Sequence, residues 1–170
     1  KSRYLKDSLK ERRKTSGMRR YHGKKDKIVL YMHAGSGNHG CEAIVNTVIR
    51  MLPRPAIVMT NSLAEDETYS LKGMAMLIEE RKVRKNLFIH AWYYLREHVL
   101  QDPEAAMRYR FREVCGRNLR QMNISIGGDN YCYPELLKEL KAANLLFTRQ
   151  GAMTVLLGCS VEPELLAEPD

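Results

Sequence analysis

Apolar and polar positions along this chain fall into blocks that switch between strand length and helix period. Ile28-Val29-Leu30-Tyr31-Met32 is a continuous apolar run of strand length. Gly35, Gly37 and Gly40 follow, and they allow a tight turn. Ala43, Ile44, Thr47, Val48 and Met51 then recur at helical spacing, and Pro53 stops the helix. Beyond Pro53-Arg54-Pro55 lies a second strand, Ala56 to Thr60. This strand–helix–strand unit, about 30 residues long, predicts parallel neighbouring strands joined by a right-handed crossover. From Asn61 to Lys85 the pattern is weaker. Glu65-Asp66-Glu67 could start a helix, and Met74-Ala75-Met76-Leu77-Ile78 reads as a third strand.

Phe88 to Leu100 and Pro103 to Gly116 read as helices, the second opened by Pro103-Glu104. Met122 to Ile126 is a fourth strand. Pro134 opens another helix, in which Leu136, Leu137, Leu140 and Phe147 can share one face, and Gly151 can end it. Thr154 to Leu157 is a fifth strand. No internal repeat appears. The alternation predicts an α/β fold: an open parallel sheet with helices on both faces.

Charge divides the chain in two. Residues 1–27 hold 12 Lys and Arg against 3 Asp and Glu, and the remainder holds 16 against 17. The net charge of +8 therefore sits in a basic leader, residues 1–26, expected to be flexible. Residues 27–170 are expected to form one domain. Nucleic acid is not an expected partner, because a binding groove needs its basic residues on the folded face. Anionic membrane headgroups suit the leader better. No apolar run approaches the ~18–20 residues of a membrane span, and no signal-peptide core is present. We read the protein as cytoplasmic, with contact at the inner face of a membrane. The start at Lys1 and the end at Asp170, without a closing element, read as the N-terminal half of a longer enzyme.

Three strands end in sequences able to carry chemistry: the first in GSGNHGCE, the fourth in GGDN, the fifth in GCSVEPE. In an open α/β sheet ligands bind outside the carboxyl ends of the strands, so parallel strands would bring all three tips to one edge. Gly35 to Gly40 is a literal G-x-G-x-x-G between a strand and a helix, whose free N–H groups and helix dipole suit an anion. A dinucleotide site also wants an acid at the second strand's tip, where this chain has Asn61. Asp129 can orient a sugar hydroxyl or accept its proton, or can cap a turn. His39 can contact an anion or share a proton. Ser36, Gly37, Asn38, Gly40, Gly127, Gly128, Asn130, Ser160 and Glu162 complete the candidate substrate-binding set. His33, His39 and Cys41 lack a fourth ligand of matching spacing, and the cysteines stand singly, so no metal site is expected.

Gly37-Asn38-His39-Gly40-Cys41-Glu42-Ala43-Ile44, then Gly127-Gly128-Asp129, then Gly158-Cys159-Ser160-Val161-Glu162-Pro163-Glu164 resemble, in order and spacing, the polysaccharide pyruvyl transferase family. The similarity runs from about Lys27 to the last residue. It implies transfer of a pyruvyl group from phosphoenolpyruvate to sugar hydroxyls, as a ketal on a surface polysaccharide, without a cofactor. Its partners would be that small-molecule donor and a saccharide or lipid-linked saccharide acceptor. It also implies two facing Rossmann-like domains, similar to the GT-B architecture, of which this chain would be the first. The alternatives are a GT-B-like glycosyltransferase domain using a sugar nucleotide, and a nucleotide-binding module without transferase activity.

Overall fold

The run Ile28 to Met32 forms the middle of the sheet. The computed structural model describes residues 27–69, 71–82, 86–102, 104–115, 121–161 and 163. The leader and Glu162 lie outside the described residues. Strand β1 (Lys27–His33) is flanked by β2 (Ala56–Thr60) and β4 (Gln121–Ile126), with β3 (Met76–Glu79) and β5 (Met153–Leu157) at the edges. The order is β3-β2-β1-β4-β5, and every pairing is parallel. The expected open, parallel, Rossmann-like α/β sheet is therefore what the chain forms.

β1 can sit at the centre because both of its faces are apolar. Ile28 and Leu30 point to one side, where α1 (His39–Met51) and a 3-10 turn (Leu71–Gly73) supply Val45, Val48 and Leu71. Val29 and Tyr31 point to the other. There α5 (Pro134–Arg149) and the segment after α4 (Ala105–Arg110) supply Leu140, Phe147, Phe111 and Val114. Tyr31, Phe111 and Phe147 make edge-on and tilted ring contacts, with centroids 5.0 to 6.0 Å apart. Each such pair contributes about 0.5–1.5 kcal/mol beyond its buried area. The remaining helices are α2 (Leu63–Thr68) and α3 (Leu87–His98). Among the described residues no helix is long and apolar enough to cross a membrane.

Several boundaries differ from the sequence pattern, three of them for a visible reason. The third strand starts at Met76, because the N–H groups of Met74 and Ala75 bond back to Leu71 and close the 3-10 turn. The acidic cluster lies inside α2, with Ser62 at its N-cap position. The helix expected over Pro103 to Gly116 is six residues long. Its chain tightens after Arg110 into turns in which Arg112 bonds Tyr109 and Val114 bonds Phe111. Pro103 and Gly116 themselves lie outside the described residues.

Phe147 is fully buried, whereas Leu145 on the same helix is half exposed. In urea unfolding, Phe147→Ala is expected to cost about 3–5 kcal/mol. Leu145→Ala is expected to cost under about 1 kcal/mol.

Candidate functional site at the strand tips

The strand order reverses between β1 and β4, so the connections leaving their carboxyl ends run to opposite sides and open a crevice between them. The loops after β1 and β4 both border it. The loop after β5 is tied alongside: Ser160 N–H donates to Gly128 O at 2.6 Å, and Tyr131 and Val161 form a parallel bridge. Cys132 Sγ also reaches Ser160 O at 3.4 Å. From the other side, Asn130 Nδ2 donates to Met32 O at 3.1 Å. The three tips thus meet at one edge of one sheet.

Two local features permit that meeting. Met32 adopts φ +64°, an uncommon conformation for a residue with a side chain, and the β1–β2 register shifts between Leu30 and His33. Gly127 is required because a Cβ there would lie 1.9 Å from Asn130 Nδ2 and displace the tether to Met32.

In the loop after β1 four amides are already engaged, those of Ser36, Gly37, Gly40 and Cys41, where an open anion cradle was expected. Ser36 N–H and Oγ both donate to Asp66 Oδ1, at 2.9 and 2.7 Å, and His33 Nε2 joins the same oxygen at 2.9 Å. Gly37 N–H donates to Glu65 Oε2 at 3.0 Å. At Gly35, with φ +117°, an added Cβ would fall 2.6 Å from that Glu65 oxygen. Asn38 Oδ1 accepts from Gly40 N–H and Cys41 N–H, which caps α1. Asp66 is fully buried. Burial alone would raise its pKa, but the donors on Ser36, Thr60 and His33 outweigh it and hold the carboxyl below its usual range.

Asp129 is exposed at the crevice, and Tyr133 OH donates to its Oδ2 at 2.7 Å. The Cys41 thiol is pushed up by burial and then by the charge of Asp129, which brings that carboxylate beside the start of α1. Gly128 packs toward Ile44 of α1, where a Cβ would find ordinary contact at 3.5 Å. His39 is exposed and faces elsewhere: Nδ1 lies 3.2 Å from Glu42 Oε2, and its ring meets Tyr69 edge-on. Asn130 and Ser160 act through the tethers described above.

Sequence reasoning passed over Tyr133, and gave Glu65 and Asp66 only as part of an acidic cluster that could start a helix. The available signal for Asp66 and Glu65 was their place just after β2, since neighbouring parallel strands put their tips side by side. It also passed over a cleft of about 650 Å³ beneath α3, lined by Tyr93, Tyr94, Glu80, Arg110 and Lys138 among others. Arg110 there bridges Glu80 at 2.5 Å and Glu139 at 2.8 Å, and Arg108 pairs with Asp102 and Glu104. Arg108 and Arg110 are therefore both engaged with carboxylates. Burial pushes Glu80 up despite the Arg110 charge. Among the described residues no three His, Cys, Asp or Glu side chains gather as a metal ion would require. No family model, curated protein or solved structure matches the chain.

Removing the tether is expected to loosen the crevice. Asn130→Ala should cost about 0.5–1.5 kcal/mol in chemical denaturation, and Gly127→Ala at least as much. The Asp66 pocket predicts a pH dependence. An unfolded Asp titrates near 3.9, and the folded one lies lower, so its contribution is present above about pH 4 and fades as the pH falls further. In thermal melts the gap between wild type and Asp66→Asn should be full at pH 7 and narrow below about pH 4.

Proposed function

We propose that this domain serves pyruvyl transfer from phosphoenolpyruvate to sugar hydroxyls, forming a ketal in surface polysaccharide biosynthesis, and that it forms the acceptor-side wall of the cleft. The observation that carries the reading is the exposed Asp129 carboxylate at the switch-point crevice, oriented by Tyr133 and flanked by the loops after β1 and β5. The ordered likeness of these three loops to the pyruvyl transferase motifs supports it.

The electrostatics favour an acceptor over a phosphate at this edge. Asp129, Glu42 and Glu65 present carboxylates, which accept hydrogen bonds from hydroxyls and repel anions. The donor's phosphate and carboxylate belong on basic groups outside these loops. In the reaction one hydroxyl adds to the central carbon of the enolpyruvyl group and a second displaces phosphate. Of the two hydroxyl protons, one ends on the methyl carbon and the other leaves with the phosphate. Asp129 orients the attacking hydroxyl and accepts its proton, whereas His39, turned toward Tyr69, takes no step, and the acid for the methylene carbon comes from outside these loops. The basic leader holds the protein at the cytoplasmic face of the membrane, near a lipid-linked acceptor. A dinucleotide or sugar nucleotide fits less well, because its diphosphate would compete with Glu65 and Asp66 for the loop amides.

In the intact protein, phosphate release from phosphoenolpyruvate should require a saccharide acceptor. Asp129→Asn should lower kcat by about 10²–10⁴-fold without moving the melting temperature. Release of nucleoside diphosphate from a UDP-sugar, or a thermal shift with NADH and none with phosphoenolpyruvate, would overturn the assignment.

A further inference from the structure

The cleft beneath α3 contains a buried carboxylate with one oxygen bonded and the other not. Glu80 follows directly on β3 and lines the cleft, yet its side chain is only 1% exposed. Arg110 Nε donates to Oε2 at 2.5 Å, and among the described residues no donor reaches Oε1. A native fold rarely leaves a buried acceptor without a donor. The cleft is a place from which that donor can come. Asn61, the residue after β2, lines it too, so it reaches the carboxyl ends of β2 and β3. That edge is where open α/β sheets take their ligands. A volume of about 650 Å³ lies within the ~300–1,000 Å³ of small-molecule sites.

The charges around the cleft select an uncharged ligand. Arg110 spans Glu80 and Glu139, Lys138 lies 3.7 Å from Glu97, and Arg149 pairs with Glu104. A cationic ligand would compete with Arg110 for its two carboxylates. An anionic one would approach the same carboxylates and be repelled. Lys82 and Lys141 are exposed, at the margin rather than the floor. The remaining wall is apolar or aromatic. α3 leaves Phe88 and Trp92 outward, 87 and 54% exposed, and turns Tyr93 and Tyr94 to the cleft. Leu145 of α5 faces them across it, half exposed. An orphan acceptor beside tyrosine rings suits a molecule with hydroxyl donors on its rim and a C–H face between them.

We propose that this cleft binds a saccharide ring, with a hydroxyl donating to Glu80 Oε1 and the C–H face of the ring lying on Tyr94. Asp129 does not line the cleft, so the site is separate from the strand-tip crevice and does not rest on the pyruvyl transfer reading.

Saturation-transfer NMR on the full chain tests it, with the methyl glycosides of glucose, galactose, mannose and N-acetylglucosamine at millimolar concentration. At least one should receive magnetisation, most strongly at the C–H protons of one ring face. Glu80→Gln and Tyr94→Ala should each weaken its binding by about tenfold. Tyr94 is exposed, so Tyr94→Ala keeps the test decisive if Glu80→Gln does not fold. Asp129→Asn should leave the binding unchanged, even if it abolishes phosphate release from phosphoenolpyruvate. Binding kept in Tyr94→Ala but lost in Asp129→Asn would move the sugar to the crevice and overturn the proposal. A response to spermidine or to inorganic phosphate, with none to the glycosides, would overturn the assigned chemistry. Silence with all of these probes would remove the cleft as a ligand site.

Discussion

A single buried carboxylate oxygen organises the first half of this domain. Asp66 Oδ1 gathers the Ser36 amide, the Ser36 hydroxyl and the His33 ring, all from the end of β1 and the loop that leaves it. A buried charge is tolerable only when its lone pairs meet donors, so the three partners are not independent ornaments. They fix the direction in which the chain leaves β1, and hence where α1 begins. Asn38 can then cap α1, and the crevice beside β4 acquires one wall. Glu65 repeats the arrangement one residue earlier, closing over Gly37.

The opposite wall is built by backbone. Ser160 N–H on Gly128 O, the Tyr131–Val161 bridge and the Asn130 amide on Met32 O join β5, β4 and β1 at their tips. The positive φ of Met32 belongs to the same construction, at the register shift in β1 where its carbonyl receives the Asn130 amide. Strain of this kind persists only where neighbouring contacts over-determine it. The result is an edge that carries the Asp129, Glu42 and Glu65 carboxylates and on which the Ser36, Gly37, Gly40 and Cys41 amides are already bonded. That balance is why we propose an acceptor sugar, rather than a phosphate-bearing donor, as its ligand.

Much of this was legible before any coordinates. Five apolar runs became five strands: β1, β2 and β4 are buried on both faces, need no alternation and stand out as continuous blocks, while β3 and β5 are partly exposed edge strands. Parallel order followed from the alternation of strands and helices, and the meeting of the Gly37, Gly128 and Ser160 loops followed from parallel order. What stayed hidden depended on distances across the fold. Glu65, Asp66 and Glu67 look alike in sequence. Only the pitch of α2 and the adjacency of β2 to β1 decide that Asp66 is buried while Glu67 reaches Lys72 in solvent. The same limit applies to α3. Its spacing marks a helix, but spacing does not say which face meets the sheet, and here the apolar face is outside.

The glycine-rich loop also carries a kinetic meaning. Because the chain supplies its own negative charge at Ser36 and Gly37, the segment does not wait for an incoming molecule to become ordered. The entropy of fixing it is lost during folding, and none of that loss remains to be charged against association. A guest at such a preorganised edge would meet a surface already in its final shape.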